Sequence, residues 1–379
     1  MIIFPLVFVQ PGWALEMEAG EGGDSRLSWH GYGELHYNNP KGSSLPKDAD
    51  PAQMDFHRMV IGLSYEFDDR ISLHVEVDFE HAATELELEF AYLDFLIHPA
   101  LNVRAGSMLM PVGPLNEFHE PPLFYSVERP YVQKHIIPTT WMEGGIGIFG
   151  SPFPGLRYRA YVVSSLQAEG FSAGSGIRGG RGKVAKSESE DIVFVGRLEY
   201  LPVPGFDLGV SFYEGGADGT RKVGGDANVT IFEWDVRLRA AGVDLQWVYA
   251  FIDIDDADQI NAAHKTKGAA DPILPGVDNR SVGEEIVGWY IEGAYHLANL
   301  TGTEWDLVPF VRFEDFNTQD EVPAGFTADP KNDREVITVG LAYYPHPQVA
   351  LKADLENWED ADPITPDEER WNLGVTYMF

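Results

Sequence analysis

The sequence predicts an all-β protein, a 16-stranded antiparallel transmembrane β-barrel with an inward-folded third loop, and three observations carry the prediction. Apolar and polar residues alternate with period two in segments of about nine to fourteen residues, the length a tilted spanning strand needs. The connections between these segments alternate between short and long, as they do when turns face the periplasm and loops face outward. The last segment, 371–379, places Trp371, Leu373, Val375, Tyr377 and Phe379 on one face and Asn372, Gly374, Thr376 and Met378 on the other. An alternating strand that stops on an aromatic residue looks like the closing strand of an outer-membrane barrel.

Composition fits that class. A chain of 379 residues accommodates a single barrel. Its 60 Asp and Glu against 27 Lys and Arg give a formal charge of −33, which repels phosphates and excludes nucleic acid as a partner. There is no cysteine, hence neither a disulfide framework nor a thiolate metal site. The mean hydropathy of −0.19 suits a barrel, which hides half of its strand residues from lipid.

The apolar run from Met1 to Val9 contains Pro5 and is too short to cross a bilayer as a helix. With Gly12-Trp13-Ala14 behind it, residues 1–14 read as a signal peptide cleaved after Ala14. No Lys or Arg precedes the run, so the translation start is read as lying at or upstream of Met1. Residues 15–26 follow as a short acidic periplasmic lead-in, and 27–379 as the barrel.

The sixteen expected strands are 27–37, 54–67, 70–81, 85–97, 101–109, 143–149, 156–166, 190–201, 206–214, 229–239, 242–254, 284–297, 304–317, 332–345, 348–358 and 370–379. Short turns at 68–69, 98–100, 202–205, 240–241 and 346–347 alternate with long loops at 38–53, 110–142, 167–189, 215–228, 255–283, 318–331 and 359–369. The connection 82–84 is the exception, short on the long side. An even strand number brings both ends to the periplasmic side. A soluble sandwich would show the same alternation; strand length, loop rhythm and Phe379 decide for the barrel. Tyr65, Phe67, Tyr200, Tyr343, Tyr344, Tyr377 and Phe379 lie near strand ends, where interfacial girdles sit.

Residues 110–142 are the most distinctive segment. Six prolines deny it ladder donors, yet it carries Phe118, Leu123, Phe124, Tyr125, Ile136 and Ile137. A long loop with so much apolar surface must fold onto something, and the lumen is the available place. The stretch from Arg104-Ala105-Gly106 through Leu115-Asn116-Glu117-Phe118-His119-Glu120-Pro121-Pro122, Val127-Glu128-Arg129-Pro130 and Ile137-Pro138-Thr139-Thr140-Trp141 to Gly147-Ile148-Phe149-Gly150 resembles the phosphate-selective porin O/P family. The similarity is sharp over about 104–150 and architectural elsewhere. It implies a sixteen-stranded barrel, usually a homotrimer, passing small solutes passively; some members draw phosphate along an arginine ladder, and many do not.

Strand parity predicts a pore-lining basic wall of Arg58, Arg104, Arg157, Arg159, Arg197, Arg237, Arg239 and Arg312. It predicts an acidic wall of Glu76, Asp78, Glu80, Glu85, Glu87 and Glu89. Glu117, His119, Glu120, Glu128, Arg129 and Lys134 mark the constriction loop. Opposed walls would set up a transverse field across the pore; the simpler alternative is that each charge pairs locally. The acidic loops around Asp253–Asp258 and Glu359–Asp362 oppose anion entry, while Arg178, Arg181, Lys183 and Lys186 make loop 167–189 basic. The expectation is a weakly selective outer-membrane porin for small hydrophilic solutes and ions, with phosphate selectivity or a plugged structural barrel as alternatives. Its surroundings would be outer-membrane lipid and lipopolysaccharide. Asp-rich loops can hold hard divalent cations, but their spacing matches no EF-hand, and neither metal nor cofactor is expected. Gly170-Phe171-Ser172-Ala173-Gly174 matches Gly-x-Ser-x-Gly but falls inside loop 167–189 rather than in a strand-to-helix elbow, and no His-Glu-x-x-His or Walker loop occurs, so no catalytic residue is assigned.

Overall fold

A computed structural model describes residues 26–41, 52–187, 189–217, 227–268 and 281–379. The expected signal peptide and all but Arg26 of the lead-in lie outside the described residues. Sixteen strands follow in order: β1 Leu27–Lys41, β2 Gln53–Asp68, β3 Ile71–Glu80, β4 Glu85–His98, β5 Leu101–Leu109, β6 Met142–Phe153, β7 Leu156–Val163 and β8 Val193–Val203. They continue with β9 Phe206–Gly216, β10 Asn228–Ala240, β11 Val243–Ile254, β12 Glu285–Tyr295, β13 Asp306–Glu321, β14 Asp333–His346, β15 Val349–Asp360 and β16 Glu368–Met378. Each pairs antiparallel with its sequence neighbours, and β1 with β16 closes the barrel. Phe379 completes the seam, its backbone exchanging hydrogen bonds of 2.8 and 3.0 Å with Gly31. Strand number and order are as expected; β1 and β13 run about four residues further outward than the pattern suggested.

Closure leaves no sheet edge, and every second residue looks outward. Phe194, Leu198, Phe212, Phe232, Trp234, Ile291, Val311, Ile337, Leu341, Leu351, Leu355 and Leu373 form an exposed apolar belt around the wall. Such a belt is incompatible with water and complementary to lipid. At the periplasmic end Trp29, Phe67, Phe153, Tyr200, Trp305 and Phe379 are exposed aromatics at strand termini, the girdle position.

Two bulges correct the expected parity. In β2, Glu34 opposes Arg58 while His36 opposes Asp55, so one extra residue of β2 is absorbed and both His57 and Arg58 come to the inner face. In β4, Glu76 opposes Phe90 and Val77 opposes Leu88, leaving Glu89 as the extra residue. Beyond it the inner set is Phe90, Tyr92 and Asp94 rather than residues 91, 93 and 95. Tyr92 packs on His74 and lies under the Arg104 guanidinium, 3.9 Å from its ring centre. Opposite Tyr92, Gly106 takes a φ of +139° where a Cβ would fall 2.4 Å from Ala91 O, so only glycine lets the two backbones approach.

The inner face is layered. Along β10 it changes from Val229 and Ile231 near the outer end to Glu233, Asp235 and Arg237 deeper in. β11 mirrors this, from Ile254, Ile252, Ala250 and Val248 to Asp244. The apolar layer continues through Val193, Val195, Tyr213, Ile286 and Tyr290. Packed against it are Leu166, Phe171 and Ile177 from the β7–β8 loop, and Ile136, Ile137 and Trp141 from 110–142.

Candidate functional site: the inner face and residues 110–142

The base of segment 110–142 is stapled by one side chain. Asn116 donates to the carbonyls of Met110 (2.8 Å) and Trp141 (2.9 Å) and accepts from the Trp141 backbone N–H (3.0 Å). Without ladder donors at its prolines, the segment spends its remaining polar groups on the strands. The His119 ring lies 2.9 Å from the Tyr32 hydroxyl of β1 and 2.9 Å from the Glu89 carboxylate of β4. Glu117 pairs with Arg159 of β7 at 3.0 Å, and Gly113 N–H donates to Ser211 of β9 at 3.1 Å. Tyr125 donates to Asp244 of β11 at 2.6 Å, Val132 N–H to Glu314 of β13 at 3.0 Å, and Val127 N–H to Asp354 of β15 at 2.6 Å. Lys352 of β15 caps the carbonyls of Pro121 and Ser126 at 2.6 and 2.9 Å. These partners belong to strands around most of the barrel wall.

Glu128 of the segment accepts from Asn38 at 3.0 Å and faces His36 Nδ1 at 3.2 Å. Burial pushes its carboxyl up, but the hydrogen bond and charge of His36 outweigh this and hold it well below the usual carboxylate range. Glu117 behaves oppositely: burial raises it, and Arg159 only partly offsets that. Glu120 is likewise raised, by burial above all, with His119 opposing. Arg129 lies within electrostatic reach of Arg58, Glu34 and Glu89.

The expected walls do not face each other as free charges. Arg58 pairs with Glu34 (3.0 Å), Glu80 (3.3 Å) and Asp78 (3.7 Å). Arg104 holds Asp94 through two bonds of 2.8 and 2.9 Å. Arg159 and Arg197 share Glu199, and Arg197 also reaches Glu233 and Asp235. Arg237 binds Asp244, and Arg312 binds Glu292 (3.0 Å) and Glu314 (2.8 Å). Arg157 is half-buried with Glu199 as its cross-strand neighbour. Arg239 is exposed beside the periplasmic turn, where it pairs with Asp207. On the acidic side Glu76 takes His30, Glu87 takes Lys183, and Glu85 is exposed at the start of β4. The physical reason is distance: a cross-strand carboxylate stands about 5 Å away, the opposite wall several times further.

Loop 167–189 also differs from its expected role as a basic mouth. Arg178 donates to the carbonyls of Lys134 and Thr139, both at 3.2 Å. Arg181 donates to the carbonyls of Thr139 (2.6 Å) and Thr140 (3.1 Å). Both guanidinia thus clamp the end of 110–142, and burial pulls both below the ordinary arginine range, Arg178 to about 9 and Arg181 to about 10. Sequence reasoning missed Asp94 and the inward His57, because a bulge leaves no compositional trace. It missed Ser126, which accepts from Arg312 at 2.6 Å, because a loop serine carries no signal at all.

A closed sixteen-stranded barrel with an apolar belt, an aromatic girdle and a charge-lined inner face defines the class: a porin-type barrel of the bacterial outer membrane. Similar solved structures are Salmonella typhi OmpF in complex with daunomycin (TM-score 0.61, 13% identity, 93% of this chain and 97% of that one). The outer-membrane channel DcaP of Acinetobacter baumannii follows (0.60, 11%, 93% and 97%), as does an anion-selective porin from Comamonas acidovorans (0.57, 10%, 94% and 100%). At these identities the likeness establishes the fold. No protein-family model matches the chain. It is 33% identical over 373 residues to an uncharacterized protein of Aquifex aeolicus (strain VF5), across 93% of this chain and 80% of that protein, and the two belong to one family.

Proposed function

We propose that the protein is an outer-membrane channel for passive diffusion of small hydrophilic solutes and ions, in which residues 110–142 enter the lumen and set the constriction. The observation that carries this reading is the ring of bonds from that segment to inner-face side chains of β1, β4, β7, β9, β11, β13 and β15. Weak selectivity follows from local pairing, since a charge neutralised by its neighbour steers little at a distance. The formal charge of −33 adds an acidic background that favours cations. Reversal potentials in a salt gradient are expected to show modest cation preference at low salt. That preference should collapse as the Debye length falls from about 30 Å at 0.01 M to about 3 Å at 1 M. Neutralising Glu76, Asp78, Glu85 and Glu87 together should move the reversal potential towards anions. Strong anion preference, with phosphate blocking chloride current, would instead support the phosphate role of the resembled family.

A plugged structural barrel is the second reading. It is favoured by the burial of Glu34, Arg58, Asp78, Arg312, Glu314, Asp354 and Glu356, inner-face charges that a wide aqueous pore would leave wet. Planar-bilayer recording separates the two: the channel reading expects discrete conductance steps, the plugged reading silence. A homotrimer is the assembly we favour, a form recorded for one neighbour of similar fold, an outer-membrane protein of Vibrio cholerae. Cross-linking in native membranes should give a ladder ending at three chains; a monomer band alone would refute it.

A further inference from the structure

Three side chains converge where β2 begins and the β3–β4 turn closes. Among the described residues, Asp55, His57 and His81 form a group whose ligand atoms all lie within 4.8 Å of one another. Asp55 Oδ2 accepts from His81 Nδ1 at 2.7 Å and stands 3.2 Å from His57 Nδ1. Asp55 and His57 are half-buried and His81 is exposed, so the group is reached from the outer surface. His36 stacks on the far face of His57 with ring centres 4.9 Å apart.

Two backbone irregularities bring the three together. The β2 bulge rotates His57 onto the face that Asp55 already occupies. The turn holds His81, Ala82 and Ala83 at φ of 49°, 55° and 68°, three successive left-handed residues without a glycine. Left-handed backbone is strained for any residue that carries a Cβ, and an Asn-Gly turn would remove most of that strain. The conformation is pinned by His81 N–H to His57 O and Ala82 N–H to Phe56 O, both at 3.0 Å. The strained turn sets the His81 imidazole over Asp55.

We propose that Asp55, His57 and His81 bind a divalent transition-metal ion of the zinc, nickel or copper class at the outer rim of the barrel. Two imidazoles and one carboxylate are the donor set such ions select, whereas Mg²⁺ and Ca²⁺ prefer oxygen throughout. In a tetrahedral site with bonds near 2.0–2.1 Å, adjacent donor atoms stand roughly 3.3 Å apart. The Asp55–His57 separation is close to that, His81 needs to withdraw from Asp55 by about half an ångström, and the two ring nitrogens, within 4.8 Å of each other, must close onto the same edge length. On binding, the proton on each Nδ1 directed at Asp55 moves to Nε2 of the same ring, or passes to solvent where the ring was doubly protonated. His57 then carries its proton on Nε2, and the Arg58 Nη2 group 3.3 Å away has Glu80 Oε1 at the same distance to turn to. The remaining positions face solvent and take water.

The test is calorimetric titration of the whole refolded barrel in detergent with Zn²⁺, with Mg²⁺ as comparison. The expected result is one saturable Zn²⁺ per chain that excess Mg²⁺ does not displace. His81→Ala and Asp55→Asn, each checked for heat-modifiable mobility, should weaken it at least about tenfold. His98→Ala, on a periplasmic turn, should bind like the parent. Co²⁺ loading should give a ligand-field spectrum that His81→Ala loses, a readout independent of barrel stability. Absence of saturable Zn²⁺, equal loss in His98→Ala, or full affinity in both site variants would overturn the assignment.

Discussion

Replacing residues 117–137 by a short Gly-Ser turn, which keeps the Asn116 staple, is expected to raise single-channel conductance several-fold while the barrel still assembles. The expectation follows from where the segment is held. The Asn116 staple lies at its base, and beyond it the polar groups from Glu117 to Val132 bond to inner-face partners rather than to strand ladders. The barrel's own closure does not depend on the segment, since every strand pair from β1–β2 to β15–β16 and back to β1 is made by backbone ladders. Folding should therefore survive, read as unchanged heat-modifiable mobility. A parent that is silent and a variant that conducts would identify the segment as a plug. Equal conductance in both would place the constriction elsewhere and sink the reading.

Arg312→Met is expected to be the most destabilising single substitution of the inner face. Arg312 is 0% exposed, joins Glu292 to Glu314, and donates to Ser126 of segment 110–142. Removing it strands two buried carboxylates, a loss of about 3–5 kcal/mol for a broken buried pair. The urea midpoint of the refolded barrel should fall accordingly. Adding Glu292→Gln and Glu314→Gln should recover part of the loss, because the penalty lies in the uncompensated charges. A midpoint unchanged by Arg312→Met would mean that water reaches the two acids.

The strands were legible because lipid imposes the same demand on every one of them. Phe232, Trp234 and Leu238 must be apolar wherever they stand, so period two survives along the outside of β10. The inside obeys no single rule. Val193-Phe194-Val195 and Val229-Thr230-Ile231-Phe232 are nearly continuous apolar runs. Only the packing of Phe171, Ile177 and Ile136 shows that their inner faces form a core rather than a wet wall. Parity failed at two points, β2 between Asp55 and Arg58 and β4 at Glu89, where one added residue turns the rest of the strand over. The segment 110–142 was legible as a unit because prolines and apolar residues together forbid both a strand and a solvated loop. Its individual partners were not, since they are set by the curvature of a wall assembled from residues hundreds of positions apart.

The apolar inner layer also shapes the journey before the barrel exists. A barrel with a wet lumen delivers strands that are sticky on one side only. Here β10 and β11 are apolar on both sides over their outer halves, with Ile231 and Ile252 backing Phe232 and Phe251. In the aqueous periplasm such stretches have the composition of self-pairing, aggregation-prone segments. Glu233, Asp235, Asp253 and Asp255 interrupt or flank them, and the formal charge of −33 makes unfolded copies repel one another. The acidity of this chain thus serves the unfolded traveller as well as the finished barrel: it keeps the polypeptide dispersed until lipid and its own loops cover both faces.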